Sequence, residues 1–357
     1  MLKGGKTGRS HGAHGPATRR LKGGKFPLDI LERCLAKIPR HDSRVVLWPE
    51  IGEDAAAIDF GDTLLVAKTD PITFAEDLIG WYAVHVNAND IATCGATPRW
   101  FMATILLPEG IEAPIAEAIL DDTVKACDDL GVSLIGGHTE ITPQVARPVV
   151  VGCMLGEVAR GGLVRTGGAR PGDLLVLTKG IAVEGAAVLA REAGVELRAR
   201  GVGEEQLRRA RDFLFVPGIS VVRECGILVQ SGGVTAMHDP TEGGLATGLW
   251  ELAHAGGHGL RVDEEAIPIL AECRVICEAL GLDPLGLIAS GALLAALGSQ
   301  EADVAVQELR RAGIQAAIIG EVRALSEGFV LDSKAGSRPL PQFERDEVAR
   351  HFDRPQA

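Results

Sequence analysis

The stretch VHVNANDIATCGATP, residues 84–98, decides how the chain is read. Trp81, Val84, His85, Ala88, Ile91 and Ala92 recur at helical spacing, yet Asn87, Asn89 and Asp90 interrupt a segment otherwise apolar or small enough to be buried. An ionised carboxylate removed from water is strongly unfavourable unless a cation or several donors compensate it, so Asp90 calls for a named partner. The competing reading puts Asp90 at a helix end beside the breakers Gly95 and Pro98, capping the helix or meeting solvent.

At 357 residues the chain exceeds one ordinary core and suits two domains. Hydrophobic residues at 46% with 4% aromatics indicate an α/β or α+β protein built from Ala, Val, Leu and Ile, not a sandwich or a disordered chain. A net charge of -12 argues against a general nucleic-acid binder. The seven cysteines (Cys34, Cys94, Cys127, Cys153, Cys225, Cys273, Cys277) are odd in number and mostly inside apolar runs, as expected of reduced, buried residues in a cytoplasmic protein. Cys273 and Cys277 lack a second Cys/His pair at finger-like spacing and read as core. No apolar run approaches the ~20 residues of a membrane span, so a soluble protein with neither membrane nor nucleic-acid partner is expected.

Upstream of the central stretch, Met1–Lys25 carries seven Lys/Arg, no acid and seven glycines. It reads as a flexible basic arm, either a lid over a polyphosphate or a plain tail. An amphipathic helix follows over Phe26–Ile38, and a strand over Thr63–Lys68 ends at Thr69-Asp70-Pro71. Asp54 (in IGEDAAAI, 51–58) and Asp70 stand, like Asp90, beside apolar elements and outside charged runs, where ligands meet sheet ends. Downstream come a strand over Trp100–Leu107, a helix over Ile111–Leu130, and a short strand Val132–Ile135 leading into Gly136-Gly137-His138-Thr139-Glu140. Glycines there let backbone approach a phosphate, while Thr139 and Glu140 suit phosphate and metal. Pro148–Val158 reads as a strand deep in a sheet, and Gly161–Asp173 as an interdomain connection.

The second half begins with a strand at Leu174–Thr178, then Lys179-Gly180 and a helix over Val183–Ala193. A further helix over Ile219–Ser231 leads to GGVTAMHDPTEGG, residues 232–244, before the amphipathic Leu245–Ala255. Asp239, Pro240 and Glu242 have N-cap, N1 and N3 spacing for that helix, which capping alone would explain. Gly243 and Gly244 do not fit a simple cap, since each weakens a first turn by ~1 kcal/mol relative to alanine. Something is expected to approach that turn closely. From Asp332 the chain turns polar, with Pro339, Pro341 and Pro355, as in a loosely held tail.

GEDAA (52–56), TDP (69–71), NANDIATCGATP (87–98), GGHTE (136–140) and HDPTEGGL (238–245) stand in the order seen in the aminoimidazole ribonucleotide (AIR) synthase, or PurM-like, superfamily. Within it, HDPTEGGLATGLWELAHAGGHGLRVDEEAIPI resembles the HypE family of hydrogenase expression/formation proteins. The resemblance covers about residues 25 to 330. It implies an α/β (α+β) two-domain fold: an N-terminal mixed sheet that joins a second copy in a homodimer barrel, and a C-terminal α/β sandwich. The expected divisions are an arm at 1–25, an ATP-binding domain at 26–165, a second domain at 170–332 and a tail at 333–357. ATP and magnesium are implied between the domains and across the dimer, with a protein partner supplying the substrate group.

A triphosphate carries about four negative charges, so an acidic protein needs metal ions to bind it. Asp54, Asp70, Asp90 and Asp239 are the expected ligands. Asn87, Asn89, Gly136, Gly137, Thr139, Lys179, Gly243 and Gly244 are expected to contact the nucleotide, and His138, Glu140 and Asp239 to serve catalysis; His238 is a second histidine suited to moving a proton. Relatives generally carry an acid where His138 stands, and neutral histidine is a poor ligand for magnesium, so Glu140 takes over or one metal is lost. HypE proteins end in a cysteine that carries the group being converted, whereas the sequence here closes Asp353-Arg354-Pro355-Gln356-Ala357. The leading expectation is a HypE-like enzyme that activates an amide-type or phosphate oxygen on a separate molecule. The alternatives are a small-molecule enzyme related to AIR synthase or thiamine-monophosphate kinase, and a non-catalytic nucleotide-binding scaffold.

Overall fold

A computed structural model describes residues 21, 26–73, 75 and 77–353. The expected arm, Leu21 apart, therefore lies outside the described residues. The first sheet contains β1 (Val45–Leu47), β2 (Ala56–Asp59), β3 (Thr63–Ile72), β4 (Thr97–Pro108), β5 (Ser133–Thr142) and β6 (Val149–Ala159), ordered β1-β2-β3-β6-β4-β5. All neighbours are antiparallel except the β4/β5 pair.

Helix Ile79–Thr93, which holds the central stretch, is buried at every residue but Val86. A helix surrounded in this way must lie close to its neighbours, and missing side chains make that close approach feasible. A Cβ at Gly156 would stand 2.3 Å from Ile91 Cγ2, one at Gly152 would stand 2.3 Å from Asn87 Nδ2, and one at Gly80 would stand 2.3 Å from the carbonyl oxygen of Ile119. The helix thus presses on β6 below and on helix Ala113–Asp129 beside it. On β4, Phe101, Ala103, Ile105 and Leu107 alternate into this core.

The second sheet contains β7 (Leu174–Thr178), β8 (Val234–His238), β9 (Gly259–Asp263), β10 (Leu294–Leu297), β11 (Ala316–Arg323), β12 (Phe329–Ser333) and β13 (Gly336–Pro339), ordered β13-β12-β9-β11-β7-β10-β8. Both faces of its centre are covered. Leu175 and Leu177 of β7 pack with Leu245, Leu249 and Leu252 of helix Gly244–Gly256, while Val176 packs on the opposite side with Leu228 and Leu309. This is an α/β sandwich, which explains why its strands read as continuous apolar runs.

Three elements depart from the sequence reading. GGHTE lies inside β5 rather than in a loop after it, because β4 supplies a parallel partner as far as Thr142. The Gly137 Cα is crowded by β4 itself: a Cβ there would stand 2.0 Å from the Ala103 carbonyl oxygen. The stretch beyond Asp332 is not a loose tail up to Asp353, since β13 and helix Glu347–Phe352 follow, with Leu340 and Glu347 buried.

The domains are joined by buried polar groups. Asn89 donates from Nδ2 to the Ile219 carbonyl at 2.9 Å and accepts from Val221 N–H at 2.8 Å, so both ends of its amide hold the second domain. Nearby, Lys179 Nζ lies 2.8 Å from Glu224 Oε1, with the two side chains only 6% and 4% exposed. Lys179 also donates to the carbonyls of Gly218 and Ser220. Removing one partner of such a pair leaves a buried charge alone, whereas replacing both by apolar groups does not. Lys179→Met or Glu224→Gln should each cost about 3–5 kcal/mol in urea unfolding, and Lys179→Met combined with Glu224→Leu should recover most of the loss. Additive losses in the double variant would contradict this account.

Candidate active site at the domain junction

The four candidate metal ligands reach the junction from four elements. Asp54 comes from the turn before β2, Asp70 from the end of β3, Asp90 from the buried helix, and Asp239 from just beyond β8. Among them sits Lys68, which the sequence reading passed over. Its Nζ is 2.9 Å from Asp90 Oδ2 and 3.4 Å from Asp70 Oδ2. Strand alternation carried the signal: Leu64 and Val66 are buried on one face of β3, and Lys68 and Asp70 continue that face.

Burial pushes the Asp90 carboxyl up to about 6, with Asp54 and Asp70 adding to the shift and Lys68 opposing it. Burial also works against the charge on Lys68, but Asp90, Asp54 and Asp70 together hold its ammonium above the ordinary lysine range. Asp90 therefore has the cation that the sequence demanded. His238 is a second positive group: its Nδ1 lies 3.1 Å from Asp54 Oδ2 and its Nε2 lies 3.1 Å from Glu251 Oε2. Burial disfavours a charged imidazole, yet the bonds to two carboxylates raise it well above the usual histidine value. With both nitrogens engaged and the ring held as imidazolium, His238 ties the first domain to helix Gly244–Gly256 and is no general base.

Asp239 is the outlier. It is 2% exposed, and neither carboxylate oxygen has a hydrogen-bond partner among the described residues. The capping explanation does not apply, because the helix starts at Gly244 with Gly243 as its cap, several residues past Asp239. Burial, then Asp90 and Asp54, raise its carboxyl well above the ordinary value. Ligand atoms of Asp54, His238 and Asp239 lie within 4.8 Å of one another. Since His238 is already spent on two carboxylates, the donors left for a cation are carboxylate oxygens. That set fits a hard divalent ion such as magnesium.

The remaining candidates divide between this junction and other surroundings. Asn87 Nδ2 donates to the Ala83 carbonyl at 2.8 Å, and its Oδ1 is buried without a hydrogen-bond partner among the described residues. Asn89 is engaged in joining the domains, and Lys179 in an ion pair and carbonyl contacts within the second domain. Gly136, Gly137, His138, Thr139 and Glu140 lie on the exposed edge strand β5, with His138 Nε2 3.7 Å from Glu140 Oε2. At the Gly243-Gly244 turn the close neighbours belong to the chain itself. Gly243 N–H donates to Asp346 Oδ2 at 2.9 Å, and a Cβ on Gly244 would stand 2.5 Å from the Leu285 carbonyl oxygen. Asp346 could not be found from sequence, because it comes from the segment read as a tail.

Residues 52–158 match the family described as AIR synthase related protein, N-terminal domain, and residues 170–332 match AIR synthase related protein, C-terminal domain. The chain belongs to the AIR synthase-related, PurM-like superfamily. Within that superfamily it is 31% identical over 359 residues to a carbamoyl dehydratase HypE of Rhizobium leguminosarum bv. viciae, covering 97% of this chain and 95% of the relative. Among solved structures, the hydrogenase maturation protein HypE in complex with ATP superposes with a TM-score of 0.70 at 28% identity, over 84% of this chain and 91% of that one. A HypE–HypF complex gives a TM-score of 0.69 at 25% identity, over 82% and 94%.

A carboxylate kept for ligand binding weakens the protein that carries it. The Asp239 carboxyl lies above its ordinary 3.8, so the folded state holds the proton more tightly than the unfolded chain. Its contribution is favourable below about pH 4 and is lost as pH rises through the folded value. Asp239→Asn should therefore raise stability at pH 7.5 without magnesium by about 1–2 kcal/mol, a gain that shrinks as pH falls toward 4. Thermal unfolding checks this; a destabilised variant would show that Asp239 serves structure.

Proposed function

We propose that this chain is an ATP-dependent enzyme of the HypE kind, which activates an amide-type or phosphate oxygen by phosphoryl transfer. The observation that carries the reading is Asp239, a buried carboxylate without a hydrogen-bond partner among the described residues, which meets Asp54 at a domain junction where Lys68 also gathers Asp70 and Asp90. The similarity to a HypE solved with ATP supports the nucleotide. Asp54, Asp70, Asp90 and Asp239 would hold magnesium, which would neutralise the triphosphate and orient its γ-phosphoryl group. The chain's own part is to fix those carboxylates: Lys68 orients Asp90 and Asp70, and His238 orients Asp54. Proton transfer falls to His138 or Glu140, the titratable pair of β5 that no domain contact consumes.

A second copy of the chain is part of the proposal. The side of the first sheet facing away from the buried helix presents half-buried Met102, Leu106, Val151 and Leu155, and edge strand β5 exposes Leu134, Ile135 and Ile141. Joining two such sheets would cover this apolar face and enclose His138 and Glu140. The group acted on is supplied by a protein partner, by analogy with the HypE–HypF complex. Among the described residues no helix is long and apolar enough to cross a membrane, in keeping with a cytoplasmic site of action.

Purified protein incubated with ATP and magnesium should release ADP and phosphate in the presence of an amide-bearing partner. Asp90→Asn should lower nucleotide affinity at least tenfold, roughly 1.4 kcal/mol, by calorimetry. Unchanged affinity would reduce Asp90 to a structural role, and no nucleotide turnover with intact binding would favour a scaffold. The acted-on group should also stay off this chain's thiols. Cys94, Cys127, Cys225, Cys273 and Cys277 are buried. Burial raises Cys94 and Cys225 and pushes Cys127 up to about 11, while a bond from Cys273 and burial raise Cys277, so these four do not form the nucleophilic thiolate readily. Intact-mass spectrometry after incubation with ATP and a carbamoyl-donating partner should show no adduct on the seven cysteines; a mapped carbamoyl or cyano adduct would overturn this.

A further inference from the structure

Three of the four carboxylates at the junction are oriented by a hydrogen-bonding or charged side chain. Lys68 Nζ stands 2.9 Å from Asp90 Oδ2 and 3.4 Å from Asp70 Oδ2, and His238 Nδ1 stands 3.1 Å from Asp54 Oδ2. Neither oxygen of Asp239 has a hydrogen-bond partner among the described residues. Its place is therefore set by the backbone of its own turn, residues 239–244. Ala289 N–H donates to the Thr241 carbonyl at 3.3 Å, and a Cβ on Gly248 would stand 2.8 Å from Pro240 Cβ, so the middle of the turn is held.

The far end is held differently. Gly243 caps helix Gly244–Gly256 with a φ of +80°, and a Cβ there would stand 2.3 Å from Thr247 Oγ1. Glycine is forced, so the cap has no side chain with which to satisfy backbone donors. Gly243 is also buried, where an unpaired N–H is costly. Asp346 supplies the acceptor from 103 residues away: its Oδ2 takes the Gly243 N–H at 2.9 Å, as the glutamate of a capping box would. Its Oδ1 takes the Val348 N–H at 2.8 Å and caps helix Glu347–Phe352.

The segment around Asp346 is anchored beside the same turn. Glu347 Oε2 accepts from Asp283 N–H at 3.1 Å, Arg350 donates to the Gly281 carbonyl at 3.2 Å, and a Cβ on Gly286 would stand 2.5 Å from Phe343 Cδ1. Burial pushes the Asp346 carboxyl up to about 6 against its two N–H bonds, and the neighbouring Glu242 and Glu347 add to the shift. A serine would cap the last helix without that cost. What the second carboxylate oxygen adds is the bond to the turn of Asp239.

We propose that Asp346 is a positioning residue: through the Gly243 N–H it fixes the turn that presents Asp239, and so couples the docked C-terminal segment, residues 340–353, to nucleotide binding at the junction. This rests on the nucleotide-binding reading above. By reciprocity, a ligand that engages Asp239 tightens the hold of the segment.

Asp346→Ser and Asp346→Asn each keep an oxygen to cap Val348 and lose the acceptor for Gly243. Calorimetric titration of the full-length variants with a non-hydrolysable ATP analogue and magnesium should show affinity about tenfold below wild type. Thermal unfolding verifies that each variant is folded. Wild-type affinity in a folded variant would overturn the proposal and leave Asp346 as a cap of the last helix. Amide hydrogen exchange of wild type decides even where a variant does not fold. Analogue with magnesium should slow exchange several-fold in both 239–244 and 340–353, relative to helix Ala302–Arg311. Slowing confined to 239–244 would overturn the proposal while leaving nucleotide binding intact. A wild type that binds no analogue would instead remove the nucleotide reading, and the proposal with it.

Discussion

The ion pair between Lys68 and Asp90 is the interaction on which the rest of the junction depends. A carboxylate on a helix buried on all sides is tolerable only beside a cation, and a lysine on the buried face of a strand is tolerable only beside carboxylates. Each therefore accounts for the other. Once Asp90 is neutralised, helix Ile79–Thr93 can lie on Gly152 and Gly156 of β6 and present Asn89 to the second domain, where Ile219 and Val221 hold it. The helix thus links the core of the first domain, the domain contact and the ligand site.

The second domain contributes charge to the same place. His238 and Asp239 are adjacent at the end of β8 but have opposite roles. His238 is matched on both nitrogens and couples Asp54 to Glu251, whereas neither Asp239 oxygen has a hydrogen-bond partner among the described residues. A fully matched junction would be more stable and would have nothing left to bind. The unmatched carboxylate is a local violation of polar satisfaction, the kind expected where function overrides stability.

Much of this was legible in the sequence, in ways that differ by residue. Asp90 stood out because its surroundings were apolar, Asp54 and Asp70 because they stood outside charged runs, and Asp239 because the glycines after it did not fit a simple cap; the structure brings all four to one junction. Lys68 was legible in principle, since period-two alternation places it beside Leu64 and Val66, but it was read as the last residue of a strand. The partners of Asn89, Lys179 and Gly243 were not legible. Ile219, Glu224 and Asp346 lie 45 to 130 residues away along the chain, and only the docking of domains, the folding of the second domain and the packing of the final segment bring them near. The strand before GGHTE was read as stopping at Ile135 because two glycines follow an apolar run, whereas the neighbouring strand β4 keeps the chain extended through Thr142.

The central claim is that the junction is a nucleotide site completed by a divalent cation on its carboxylates. Calorimetric titration of the full chain with a non-hydrolysable ATP analogue, with magnesium and then with a chelator, tests it most directly. The account predicts binding with magnesium and at least a tenfold weaker affinity, roughly 1.4 kcal/mol, once the metal is chelated. Equal affinity in both conditions would contradict it.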